Sequence, residues 1–133
     1  MSAGTYTLLI ELPVPRSITF GAAGVRELEA GWYAYTGSAL GPGGFRRVER
    51  HREIASGERE TRHWHVDYLL GEGSSSLDAV WTTEGSEAEC EIAASIGGEA
   101  IPGIGASDCT CDTHLRFGRR RADLAKRIAR AHR

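Results

Sequence analysis

The sequence predicts one small α/β domain of the α+β kind, a central antiparallel sheet flanked by helices, with an inserted hairpin and a basic C-terminal helix. Three observations lead there. The 133-residue chain is long enough for one core without staples and short for two domains. TYTLLIEL (5–12) and GWYAYTG (31–37) have the composition of strands, while 44–56 and 119–131 repeat their apolar residues at helical spacing. Glycine-rich turns separate these segments.

Taken in order, 5–12 reads as an early strand stopped by the prolines of ELPVPR. SITFG and VRELEAG read as a small hairpin about a Gly-Ala-Ala-Gly turn. In GWYAYTG, Tyr33 and Tyr35 share one strand face, and Trp32, Ala34 and Thr36 the other. Phe45, Val48, Arg52 and Ala55 stand three or four apart, so 44–56 is a helix, closed by Gly57. RHWHVDYLLG reads as a further strand, with His63, His65, Asp67 and Leu69 on one side and Trp64, Val66, Tyr68 and Leu70 packed on the other. LDAVWTT (77–83) is the next strand. Ser86 with Glu89 three residues on has capping-box spacing and opens a helix that Gly97-Gly98 ends. HLRFG is a last short strand, and Leu124 and Ile128 form the inner stripe of the C-terminal helix.

Charge is unevenly spread. The chain carries a net −2, yet residues 116–133 hold eight Lys/Arg against the single acid Asp123, a net +7 on a body of −9. Such a tail suits a polyanion, its own acidic body, or a solvated helix face. No apolar run approaches the length of a membrane span, and the N-terminus lacks the basic start of a signal peptide. Three cysteines, an odd number, argue against a complete disulfide framework and for a reducing cytoplasm. Cys90, on a helix with an apolar neighbourhood, reads as a buried inert thiol.

Several groups carry possible chemistry. Arg47 and His51 are spaced i,i+4 on one helix face, where a guanidinium forks onto phosphate oxygens while an imidazole moves a proton; a solvated face fits the same spacing. His63, His65 and Asp67 are three ionisable groups in a row, suited to metal ligation, to phosphate positioning or to a pair in which Asp67 fixes the His65 tautomer, although an exposed sheet face fits the same alternation. Cys90, Cys109, Cys111 and His114 would supply four zinc ligands, although Cys-x-Cys is a short gap for zinc. Asp108, Asp112 and His114 suit a tight polar loop near the sheet end. Glu89 serves as a helix cap or as a ligand of a hard cation.

Gly4-Thr5-Tyr6, then Tyr35-Thr36-Gly37 with Ser38, then Arg47-Val-Glu-Arg-His51, resemble in order the motifs of the GIY-YIG nuclease superfamily. G-W-Y-A-Y-T-G-S-A-L, H-W-H-V-D-Y-L-L, Glu89-Cys90 and G-A-S-D-C-T-C-D-T-H-L are similar to a narrower family within it, also found fused to endonuclease III-like repair enzymes. Residues 1–118 would be the nuclease domain and 119–133 its basic helix. The resemblance implies a three-stranded antiparallel centre and hydrolysis of DNA phosphodiesters, with DNA as partner and a link to repair glycosylases. It implies Tyr6, Tyr35, Arg47 and His51 as catalytic residues, Glu89 as the ligand of one Mg²⁺ or Mn²⁺, and Gly37, Ser38, His63, His65, Asp67, Ser107, Asp108 and His114 at the substrate. Two alternatives from other classes are a non-catalytic nucleic-acid-binding module and a zinc-stabilised interaction domain. The chain departs from the superfamily pattern in the 29-residue separation of Tyr6 and Tyr35, in Thr36 where an aliphatic residue is usual, and in lacking a match to the late asparagine.

Overall fold

Strand β1 (Gly4–Leu12) occupies the inner part of the sheet because alternate residues find an apolar partner on each side. It pairs antiparallel with β4 (Gly31–Ser38) and with β5 (Ser76–Glu84). β4 pairs in turn with β7 (Leu115–Gly118), and β7 with the short β6 (Glu99–Ala100), both antiparallel. The order is β5-β1-β4-β7-β6, so the three-stranded centre expected by resemblance is part of a five-stranded sheet. The inserted segment forms the expected hairpin, β2 (Arg16–Thr19) with β3 (Val25–Leu28), about a 3₁₀ turn at Gly21–Ala23. The computed structural model describes residues 4–39, 44–59, 65–84, 88–101, 104 and 113–132, without the side chains of Ala22 and Glu89.

Two cores lie on opposite faces of this sheet. On one face Leu8, Ile10 and Leu12 of β1 and Tyr33 of β4 are covered by α1 (Arg46–Ser56), α2 (His65–Leu70) and the hairpin, through Val48, Ile54, Val66, Leu69 and Phe20. On the other, Leu9 and Ala34 meet α3 (Glu89–Ile96) and α4 (Arg121–Ala131) through Ile92, Ile96, Leu124 and Ile128. The period-two alternation of a strand makes this division. Full burial of a leucine such as Leu9 contributes about 1.5–3 kcal/mol. α1 ends as expected at Gly57, whose φ of 85° suits glycine and whose N–H reaches the Ile54 carbonyl at 3.2 Å.

Two expectations are corrected. The described part of HWHVDYLL is the helix α2 and not the expected strand, and its buried set is Val66, Asp67, Leu69 and Leu70. Val66, Leu69 and Leu70 stand at i, i+3 and i+4, a helical stripe that the accidental alternation of His, Val, Asp and Tyr hides. His65 and Asp67 therefore do not share a face, since two residues turn a helix by about 200°. The capping box is the second correction. α3 begins at Glu89 rather than placing it at its third position, and its N-cap Ala88 has no side-chain cap. The Ala88 N–H is instead donated to Thr5 Oγ1 of β1 at 3.0 Å, while Ser86 lies outside the described residues. Among the described residues no helix is long and apolar enough to cross a membrane.

Candidate active site

The site is built on the end of the β1/β4 pair, where Tyr6 stands opposite Gly37. A Cβ at position 37 would lie 2.6 Å from Tyr6 Oη and 3.1 Å from Tyr35 Cε2. Absence of a side chain there lets both phenol rings close over the strand. Gly4 is required in the same way, since a Cβ on it would collide with the Thr83 carbonyl oxygen of β5. The glycines flanking the two tyrosine motifs thus have a steric reason that concerns the tyrosines and the sheet before any substrate.

Helix α1 supplies the next layer. Arg47 and His51 share the face turned to the sheet, as their spacing predicts. His51 is fully buried, and its Nε2 is hydrogen-bonded to Tyr6 Oη at 2.7 Å. The His51 ring also meets Tyr35 edge-on at 6.5 Å between centroids. Arg47, half-buried, donates from Nη1 to the Ser38 carbonyl, which ties the first turn of α1 to the end of β4. Burial pushes the Tyr6 phenol well above the usual tyrosine range, and the neighbouring Tyr35 and Asp67 push the same way. The charge and hydrogen bond of Arg47 pull it back. At neutral pH Tyr6 therefore keeps its proton, beside a cation that would favour losing it.

Asp67 completes the group from α2. Its carboxylate is fully buried, and Oδ1 lies 3.3 Å from His51 Nδ1. The expected pairing of Asp67 with His65 is therefore corrected: the partner is His51 on another helix. The sequence carries one signal for this, the i, i+3, i+4 spacing of Val66, Leu69 and Leu70, which turns Asp67 toward the core. His65 is half-buried at the first residue of α2.

On the far side of Tyr35 stands His114, buried, with ring centroids 6.4 Å apart. Its Nε2 is 3.6 Å from Cys90 Sγ in the first turn of α3. Cys90 is half-buried and disulfide-bonded, so the inert thiol expected there is corrected. A disulfide sulfur offers no thiolate to zinc, which removes Cys90 from the four-ligand set. Gly37, Ser38 and His114 thus gather around Tyr6, Tyr35, Arg47 and His51. His63, Ser107, Asp108, Cys109, Cys111 and Asp112 lie outside the described residues, as does the side chain of Glu89.

Tyr33, on the same strand face as Tyr35, is a packing residue. Its hydroxyl donates to the Glu29 carbonyl at 2.7 Å, and its ring lies 5.0 Å from Phe117.

A second polar network, unforeseen in the sequence, lies on the opposite sheet face. Thr7 Oγ1 is 2.9 Å from Thr36 Oγ1 and 2.7 Å from His132 Nε2, and the other ring nitrogen of His132 is 2.8 Å from Thr83 Oγ1. It fastens the end of α4 to the sheet.

Residues 5–133 match the model of a family described as a domain of unknown function, DUF123, and the chain belongs to that family. No curated protein and no solved structure matches it.

Proposed function

We propose that this DUF123 chain is a divalent-metal-dependent DNA endonuclease of the GIY-YIG type, hydrolysing phosphodiester bonds at the Tyr6–Tyr35–Arg47–His51 cluster. The observation that carries this reading is the 2.7 Å hydrogen bond between a buried phenol and a buried imidazole, with a guanidinium acting on the same phenol. A phenol–imidazole pair moves protons and a guanidinium binds phosphate oxygens, so the two together suit hydrolysis of a phosphodiester. The ordered motif resemblance supports the same reading, and DNA repair is the setting it implies.

In this chemistry Arg47 binds the phosphoryl oxygens and balances their charge. Tyr6 and His51 take the proton of the attacking water, and the Tyr35 ring stands between His51 and His114. Glu89 would be the ligand of Mg²⁺ or Mn²⁺, as the resemblance implies. Residue 89 begins α3 next to Cys90, whose sulfur lies 3.6 Å from His114 Nε2, and the His114 ring in turn meets Tyr35. Among the described residues no group of three or more His, Cys, Asp or Glu side chains gathers for a metal. By the resemblance, a hard cation would be held by the Glu89 carboxylate, with phosphate oxygens and water, the coordination such ions favour. When bound it supplies charge stabilisation at the phosphoryl group.

The basic helix α4 packs on the other sheet face through Leu124 and Ile128, and its exposed Lys126, Arg127 and Arg130 favour a second reading of a nucleic-acid-binding module. One experiment separates them. The protein is incubated with supercoiled, nicked and branched DNA in Mg²⁺ or Mn²⁺. Strand breaks that fall about a hundredfold or more in Arg47→Ala support the endonuclease. Retarded but intact DNA in every metal overturns it in favour of the module.

A further inference from the structure

The pair His51–Asp67 is unlike its surroundings. Both side chains are fully buried, in a layer otherwise made of Val48, Ile54, Val66, Leu69 and Leu70. Burying a carboxylate and an imidazole is expensive, and apolar side chains of similar volume usually serve stability as well or better. The order of groups suggests what the pair is for. Tyr6 of β1 meets Nε2 of the ring at 2.7 Å, and Asp67 of α2 faces Nδ1 at 3.3 Å. A carboxylate only accepts hydrogen bonds, so the ring proton belongs on Nδ1, which leaves the lone pair of Nε2 for the phenol O–H. The other titratable groups about this line are Tyr35 of β4 and Arg47 of α1.

We propose that Asp67 is a positioning residue: it holds the Nδ1–H of His51, so that Nε2 accepts the Tyr6 proton and the imidazolium formed is matched by a buried carboxylate. It makes Tyr6–His51–Asp67 a relay rather than a phenol beside a histidine, and it rests on the hydrolase reading only for the use to which that relay is put. In hydrolysis the Tyr6 O–H bond breaks and its proton passes to Nε2. The phenolate takes a proton from the water whose oxygen bonds to phosphorus while the P–O ester bond breaks. The proton held on His51 then goes to the leaving oxygen or to solvent. A carboxylate in this place fixes both the tautomer and the ring orientation. Arg47 steadies the transient phenolate, since its charge and hydrogen bond lower the phenol's resistance to ionisation.

The test reads the ring directly. The full chain is labelled with ¹⁵N in its five histidines, and the His51 signals are assigned with the help of variants at the other four. At about pH 8.5, above the ordinary imidazole range, the wild type is expected to show His51 as the Nδ1–H tautomer. Asp67→Asn can turn an amide N–H toward Nδ1, and it is expected to move most of the population to the Nε2–H tautomer. Nicking of supercoiled plasmid DNA should fall about a hundredfold or more in the same variant, with the DNA dissociation constant unchanged. An Nε2–H tautomer in the wild type overturns the proposal, as does a tautomer ratio untouched by the substitution. The wild-type spectrum decides the matter even if Asp67→Asn fails to fold. A chain that shows the tautomer shift but nicks no DNA upholds the positioning role of Asp67 and removes the hydrolase reading instead.

Discussion

His51 and His132 sit on opposite faces of the same strand, against the neighbouring residues Tyr6 and Thr7 of β1. Each ring has a polar group near both nitrogens, yet these groups differ in kind. His51 lies between a phenol and a carboxylate in a fully buried pocket. His132 lies between two threonine hydroxyls, half-buried at the end of α4. Hydroxyls rotate to donate or accept as needed, so they hold a neutral ring and little else. A carboxylate imposes one tautomer and stabilises a charged ring. A buried histidine is thus a joint or a proton carrier according to its partners, and burial alone does not distinguish the two.

The largest expected effect comes from removing each ring. His51→Ala leaves Tyr6 Oη and the Asp67 carboxylate in the core without their shared partner, and should destabilise by about 3–5 kcal/mol. His132→Ala leaves hydroxyls that retain other partners, Thr7 to Thr36 among them, and should cost about 1–2 kcal/mol. Urea unfolding measures both. Equal losses would erase the distinction between carboxylate-bound and hydroxyl-bound rings.

Gly37→Ala comes next, since its Cβ would fall 2.6 Å from Tyr6 Oη. An overpacked strand should lose about 1–3 kcal/mol, with a change in the near-ultraviolet tyrosine dichroism. A variant with wild-type dichroism and stability would show that the ring has room to spare.

The two faces should also fail at opposite ends of the pH scale. Burial holds His132 below the usual imidazole range. Its folded state binds a proton less readily than the unfolded chain, so its contribution is whole above about pH 6.5 and lost as the pH falls below that. Tyr6 is raised, chiefly by burial, so its contribution is whole below about pH 10 and lost as the pH rises above it. Thermal melts across pH should therefore show a flatter acid limb in His132→Gln and a flatter alkaline limb in Tyr6→Phe. Limbs that stay unchanged in these variants would assign the pH dependence to other groups.

The smallest effect belongs to the exposed side of α4. Arg121 bridges Asp78 at 2.7 Å and lies 5.8 Å from the Trp32 ring, with both charged side chains solvent-accessible. Arg121→Ala should cost no more than about 1 kcal/mol, and less in high salt. For the tail as a DNA contact, truncation is the wrong tool because Leu124 and Ile128 belong to the core. Replacing Lys126, Arg127 and Arg130 with glutamine keeps that stripe, and should reduce the salt slope of DNA affinity if α4 touches the backbone.

Much of the fold was legible because its signals are local. The strand composition of 5–12, the alternation in 31–37, the inserted hairpin, Gly57 and the stripe Leu124/Ile128 all appear where the sequence points. The HWHVDYLL segment misled because six residues of helix leave room for a chance period of two, and its charged members suggested an exposed face. The start of α3 misled because Ser86 and Glu89 have capping spacing, whereas Ala88 is held by Thr5 from another element. Cys90 reads as an inert thiol from its apolar neighbours on the helix, which say nothing of a disulfide.

The sequence alone determined that Tyr6 and Thr7 face opposite ways and that Arg47 and His51 face the same way. Those facts follow from the two-residue repeat of a strand and the 3.6-residue turn of a helix, wherever the element is placed. Only the tertiary structure decided that Tyr6 lies over Gly37, that His51 reaches it from 45 residues away, and that Asp67 stands behind the ring. Contacts between elements depend on which faces are packed together. Packing is settled by the whole core, so no single stretch of chain could carry it.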